Sequence, residues 1–366
     1  MSATSTAHAK AVELGKHVVR MTTAAGSGHP SSALALGHIV SELMYKHMRY
    51  DPCDPWNDRN DRLVLSIGHA VPIVYAAYAD LGGAVGASAG DKRALEIAQL
   101  ATLRELRSVL DGHPNPAEGF PFFDAATGSL GQGLSVAAGL ALGARLNGID
   151  KRIFAIVGDG ESREGQVWEA LDFIVDHRLT NLCAIFSCNG HGQAAAVSAQ
   201  QSVDALAAKI AAFGWQVEQI DGHDPDEIDK VLSRFGQADK PLAIVARTVK
   251  GWGCDMMLGK NFHGKPVPPA ELDHACRQLD ATGTQLAAAA NGAIRPELRH
   301  SESPSRRAEP IQLPGLESAL RKADLEAVLE KKKLATRAGY GVALATLGAA
   351  DERIVSLDAD VSNSTY

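Results

Sequence analysis

The sequence predicts an α/β fold, an open, mostly parallel sheet covered by helices, and three observations predict it. Short uninterrupted apolar runs recur at 153–157, 182–186 and 242–246, as in strands buried on both faces. Helical periodicity fills the intervals at 166–177, 205–213 and 226–235, and strands alternating with helices close into a parallel sheet. Two of the runs also lead into polar, glycine-rich turns, Gly158-Asp159-Gly160-Glu161 and Asn189-Gly190-His191-Gly192. The carboxyl edge of a parallel sheet is where such folds bind ligands.

Taken in order, the alanine-rich segment 5–24 has a helical pattern that stops at Ala24-Ala25-Gly26, followed by the turn Gly26-Ser27-Gly28-His29-Pro30. A second helix is expected over 34–48. The run 62–66 reads as a buried strand ending at Gly68-His69, with helices over 70–81 and 91–110. A further strand is expected at 215–220. The composition changes after about residue 277, and 290–316 contains Arg295-Pro296, Ser301-Glu302-Ser303-Pro304-Ser305 and Pro310, as linkers do. Beyond it, 336–348 reads as a helix and 353–357 as a strand. The expected organisation is a first domain over 1–276, a linker over 277–325 and the start of a second α/β domain over 326–366. That last piece is too short to close a core by itself.

A length of 366 residues leaves room for two domains. A net charge of −7 implies no basic face, which argues against a nucleic-acid or anionic-membrane partner. The five cysteines form no C-x-x-C pair, as expected in a reducing compartment. With no signal-peptide pattern and no long apolar run, the expected location is cytoplasmic.

Asp159 and Asn189, at two strand ends on one sheet edge, could converge on a hard cation such as Mg²⁺ or Ca²⁺. Gly158 and Gly160 would let the backbone approach a phosphate. Asp-Gly alone is common in plain turns, and Glu161 reads as a turn residue; the second polar strand end at Asn189 favours a ligand site. Of 13 histidines, His29, His69 and His113 directly follow a glycine at a loop or strand end, and His263 precedes one. Neutral imidazoles can exchange protons near pH 7. Trp168 and Trp215 read as core.

The Gly158-Asp159-Gly160 turn with Asn189 resembles the thiamine-diphosphate motif, and further stretches resemble transketolases specifically. These are Thr22-Thr23-Ala24-Ala25-Gly26-Ser27-Gly28-His29-Pro30, Leu65-Ser66-Ile67-Gly68-His69-Ala70, Asp111-Gly112-His113-Pro114 and Ala126-Thr127-Gly128-Ser129-Leu130-Gly131-Gln132-Gly133-Leu134. Glu164-Gly165-Gln166-Val167-Trp168-Glu169-Ala170, Phe213-Gly214-Trp215, Asp221-Gly222-His223, Lys250-Gly251 and His263-Gly264-Lys265-Pro266 continue the family order. Ala335-Thr336-Arg337 through Asn363-Ser364-Thr365 resembles the start of the family's pyrimidine-binding domain.

The resemblance implies that Asp159, Asn189 and the main-chain carbonyl of His191 bind Mg²⁺ (or Ca²⁺). It implies that Ser32, His69, Gly128, Ser129, Leu130 and Gly160 contact thiamine diphosphate, with Lys250 and His263 near the diphosphate end and the reacting centre. His29, His113 and His263 would line the substrate channel and handle hydroxyl protons. Arg337 and Ser364 would hold the sugar phosphate, a task suited to the arginine fork. Glu164 resembles a carboxylate at the family's subunit interface. The implied reaction is transfer of a two-carbon ketol unit from a ketose phosphate to an aldose phosphate.

The implied assembly is a homodimer, or a pair with a complementary pyrimidine-domain subunit, whose activating glutamate lies further into the second domain than Tyr366. On that reading the chain alone is expected to have negligible activity, and to be a piece of a longer protein. Two related enzymes, dihydroxyacetone synthase and 1-deoxyxylulose-5-phosphate synthase, stay open as alternatives. So does a non-catalytic cofactor-binding or assembly subunit.

Overall fold

The computed structural model describes residues 3–259, 262–286, 312–351 and 354–358. The chain divides into two compact units, Met1–Ser303 and Pro304–Tyr366.

In the first unit, helices α1 (Ala3–Ala25), α2 (Pro30–Leu34) and α3 (Gly37–Glu42) precede strand β1 (Arg62–Leu65) and helix α4 (Pro72–Asp80). A small antiparallel pair, β2 (Ala84–Val85) and β3 (Arg93–Ala94), and helix α5 (Gln132–Leu146) follow. Then β4 (Ile153–Gly158), α6 (Gly165–Asp176), β5 (Leu182–Cys188), α7 (Val203–Ala212), β6 (Gln216–Asp221), α8 (Pro225–Leu232) and β7 (Leu242–Arg247) alternate, and α9 (Leu272–Gln285) ends the unit's described part.

The main sheet has the order β1-β4-β5-β7-β6, and every neighbouring pair is parallel. Each residue of β4 and β5 is buried, the reason those runs are continuously apolar. Their side chains still alternate. Phe154 and Ile156 join Leu14 and Val18 of α1, Ile39 of α3 and Tyr75 of α4 on one face. Ile153, Ala155 and Val157 join Leu134 of α5, Leu171 of α6 and Leu206 of α7 on the other. The edge strand β6 is only partly buried, consistent with its polar Gln216, Glu218 and Gln219.

Some expectations are corrected. The helix expected over 34–48 is interrupted: Leu36 N–H donates to the Ala33 carbonyl, α3 restarts at Gly37, and Leu43–His47 continues it as a π-turn. The segment 91–110 is not an α-helix. Leu95, Leu100, Leu103 and Leu110 are each buried, but from turns and the short 3₁₀ stretch Ile97–Thr102. Arg104 and Arg107 there have φ of 63° and 71°, a left-handed backbone that no α-helix contains. Helix-like leucine spacing thus pins a coil to the core.

Helix α9 continues past residue 276 to Gln285, docked on α1 by buried Leu279 and by Lys16 Nζ, 2.7 Å from Asp280 Oδ1. In the second unit, α10 (Leu316–Lys322) falls where a linker was expected, followed by α11 (Glu326–Glu330) and α12 (Thr336–Ala350). Residues 354–358 form no strand, while Arg353 and most of the expected linker lie outside the described residues. No helix among the described residues is long and apolar enough to cross a membrane. All five cysteines are free.

Candidate active site at the carboxyl edge of the sheet

Because β4 and β5 are parallel, their following loops leave the sheet at the same edge. Asp159, 2% exposed, ties those loops together. Its Oδ1 accepts from Gly160 N–H at 2.7 Å and its Oδ2 from Gly190 N–H at 2.6 Å. Burial pushes this carboxyl above the ordinary range, opposed by the N–H groups of Gly190, Gly160 and Asn189 and by the Lys250 charge. Asn189 Oδ1 accepts from His191 N–H at 2.9 Å, and Gly190 supplies the left-handed turn with φ of 76°.

Glu161 is more than a turn residue. Its carboxylate, inside the protein, accepts from Ser66 Oγ at 2.5 Å and from the N–H groups of Gly131 and Gly158 at 2.9 Å each. Ser66 Oγ in turn accepts from Gly133 N–H. One side chain therefore fastens the ends of β1 and β4 to the start of α5.

Facing this acidic edge is a cluster of imidazoles. The rings of His29, His69 and His263 lie 4.8–4.9 Å apart in every pairing, with His113 6.5 Å from His29. Burial holds all four below the usual histidine value, His29 down to about 4 and His69 to about 2, and neighbouring positive or protonatable groups add to it. They are neutral at pH 7. His69 Nε2 pairs with Ser32 Oγ at 3.1 Å. Lys250 Nζ donates to the Gly192 carbonyl at 3.2 Å and lies 3.1 Å from His263 Nδ1. An ammonium cannot accept, so that nitrogen is the acceptor and the imidazole proton sits on Nε2. His29 Nδ1 is buried with no hydrogen-bond partner.

A cavity of ≈ 230 Å³ separates the two walls. Ser32, His69, Leu130, Asp159, Gly160, Asn189, His191, Lys250 and His263 line it, joined by Ile67, Glu161 and Gln193. His29 and His113 stand behind its imidazole wall. Gly128 has φ of 126° and approaches so closely that a Cβ there would lie 2.5 Å from His113 Cδ2. Ser129 is exposed and does not line the cavity. Arg337 belongs to the other unit, in the first turn of α12, and Ser364 lies outside the described residues. Trp215 is buried as expected, whereas Trp168 is only partly so.

Larger clefts occur around Arg104 and Arg107 (≈ 620 Å³) and around Trp168 and Lys209 (≈ 530 Å³), so size alone does not mark the site. What distinguishes the smaller cavity is convergence of unlike chemistry. Asp159 retains lone pairs beyond its two backbone donors, and with Asn189 Oδ1 it offers the all-oxygen environment that hard cations prefer. Lys250 brings a cation to the same space. The residues present therefore fit a metal-bound diphosphate. Sequence reasoning missed the bracing role of Glu161; its only signal was an acid two residues after Asp159 at a buried strand end.

The family model described as the transketolase thiamine diphosphate binding domain matches residues 8–287. Transketolase from Mus musculus is 40% identical over 351 residues, covering 95% of this chain and 52% of that protein. Transketolase-like protein 2 from Bos taurus is 38% identical over 353 residues, covering 96% and 52%. The chain thus spans about half the length of the curated relatives it matches. Among solved structures, transketolase from Campylobacter jejuni superposes with a TM-score of 0.72 at 25% identity, covering 98% of this chain and 58% of that one. Transketolase from Pichia stipitis, at 20% identity and a TM-score of 0.70, shares the fold. With the matched model spanning both strand-end loops and all four clustered histidines, the chain belongs to the transketolase family and carries its thiamine diphosphate binding domain.

Proposed function

We propose that this chain supplies the diphosphate-binding half of a transketolase site. The observation that carries the proposal is the joining of Asp159 and Asn189 at adjacent strand ends, opposite four neutral imidazoles. When bound, thiamine diphosphate would supply the electron sink for moving a two-carbon ketol unit between sugar phosphates. Asp159, Asn189 Oδ1 and the His191 carbonyl would hold Mg²⁺, or Ca²⁺, against the diphosphate. Gly160, Ser32, Gly128, Ser129 and Leu130 would shape the cofactor's seat, and Lys250 would offset phosphate charge. His29, His69, His113 and His263, uncharged at neutral pH, would accept and return hydroxyl protons. Arg337 and Ser364 would hold the sugar phosphate in the assembled protein, a cytoplasmic homodimer or a pair with a complementary pyrimidine-domain subunit.

Calorimetric titration of thiamine diphosphate with and without Mg²⁺ tests the first half of this reading. Saturable, metal-dependent binding that disappears in Asp159→Ala is expected; binding indifferent to both would end it. Turnover is tested after adding a pyrimidine-domain partner, with xylulose 5-phosphate and ribose 5-phosphate against a pyruvate donor. Ketol transfer with the sugar pair is expected. Tight binding without turnover in that mixture would instead identify an assembly subunit.

A further inference from the structure

We infer that Glu42, His47 and Asp229 form a second divalent-cation site of the zinc type, where α3 meets α8 and outside the cavity described above. Three ligand atoms converge there, all within 4.8 Å of one another. His47 Nε2 lies 2.9 Å from Asp229 Oδ1 and 4.0 Å from Glu42 Oε2.

Local backbone geometry explains the convergence. The end of α3 runs on as the π-turn Leu43–His47, closed by Met48 N–H donating to the Leu43 carbonyl at 2.8 Å. A π-turn spans five residues where an α-turn spans four, and such turns cluster at functional sites. It brings residues five apart, Glu42 and His47, to one side of the helix. Arg152 holds the turn from outside through a guanidinium hydrogen bond to the His47 carbonyl. Asp229 reaches the same point from α8.

A second observation points to a ligand. Glu42 is only 4% exposed, and its Oε2 is buried without a hydrogen-bond partner. An unsatisfied buried carboxylate oxygen is costly, and native structures contain few. Lys46 is the ordinary explanation for an acidic cluster here, as its counterion. Its Nζ, however, sits 2.8 Å from Asp229 Oδ1 and 3.8 Å from Glu42 Oε2. It satisfies the aspartate and leaves the glutamate oxygen unbonded. The Lys46 side chain is 41% exposed and can swing into solvent.

One imidazole nitrogen with two carboxylate oxygens is a zinc donor set; magnesium prefers oxygen alone. Tetrahedral zinc with bonds of about 2.0–2.1 Å separates its ligands by about 3.3 Å. The separations of His47 Nε2 from its two carboxylate partners bracket that value, with the fourth position left for water. Occupied, the site would clamp α3 to α8. Those elements also adjoin the cavity's supports, since α3 carries His38, and His223 just before α8 accepts from Val249 N–H beside Lys250 at 2.9 Å.

The test is titration of the 366-residue chain with Zn²⁺, then with Mg²⁺, by calorimetry. An Asp159→Ala background removes the proposed cofactor-metal ligand. One zinc ion per chain is expected to bind more tightly than Mg²⁺. Glu42→Gln and Asp229→Asn, each close in shape to the original, should weaken zinc at least about tenfold. Lys46→Met should tighten it severalfold by removing the competing cation. Circular dichroism checks that each variant is folded. Absence of zinc binding, or an affinity unmoved by both carboxylate variants, as for an ion taken by exposed Cys53, overturns the inference. So does weaker binding in Lys46→Met.

Discussion

Asp159 and Glu161, on one side of the cavity, share five hydrogen-bond donors between them, four from the backbone. The histidines opposite pack against one another and bond to side chains, His69 to Ser32 Oγ and His263 to Lys250 Nζ, while His29 Nδ1 has no hydrogen-bond partner. The difference teaches that one wall belongs to the fold and the other to the ligand. Carboxylates wired to strand ends keep the sheet edge in shape. Imidazoles kept neutral by burial hold hydrogen-bonding capacity in reserve.

The contrast can be broken most strongly at Glu161. Replacing it with alanine strands Ser66 Oγ and the N–H groups of Gly131 and Gly158, with an expected loss of about 3–5 kcal/mol in urea unfolding. If stability is unchanged, the carboxylate does not brace the edge. Asp159→Asn comes next. It removes the charge a metal requires, and metal-dependent cofactor binding should fall by at least about a hundredfold, or 2.7 kcal/mol. His263→Ala should act on the other wall only. Turnover of the assembled protein should drop about a hundredfold, the scale of a lost general acid–base group, with unfolding free energy within about 1 kcal/mol of the parent. A collapse in stability would show that the imidazole wall is structural as well.

The pH dependence sharpens the same contrast. Well above pH 6.5 the histidines are neutral in both folded and unfolded chains and contribute no slope. Below it the unfolded chain takes up protons while His29 and His69, held down to about 4 and about 2, do not. The folded state therefore loses stability as pH falls from 6.5 towards 4. The melting temperature should decline across that window, and less steeply in His69→Asn; equal slopes would remove His69 from the account. The smallest expected effect is Gly128→Ala, where strain against His113 should cost about 1–3 kcal/mol in the same assay.

Much of this was legible beforehand, for local reasons. The strands at 153–158, 182–188 and 242–247 announce themselves because burial on both faces demands uninterrupted apolar residues. Asp159 and Asn189 could be paired because parallel topology brings both loops to one edge. Helix α5 was not anticipated over its length, since its alanines and glycines carry little amphipathic pattern. Glu161 was missed because its partners, Ser66 and Gly131, come from distant parts of the chain.

By itself, then, the sequence determined the strand–helix alternation, the polar strand ends and the histidines following glycines, all of which depend on residues close along the chain. Tertiary structure decided which of these face one another. Segment 91–110 has helical leucine spacing yet becomes a pinned coil, because Leu95, Leu100, Leu103 and Leu110 each find their own place in the core while Leu106 stays exposed. Helices α5 and α12 make the same point. Both are apolar and 15 residues long, but α5 buries seven residues against the sheet and α6, and α12 buries none. Periodicity and propensity act within a few residues, whereas burial depends on whatever distant segment arrives to cover the surface.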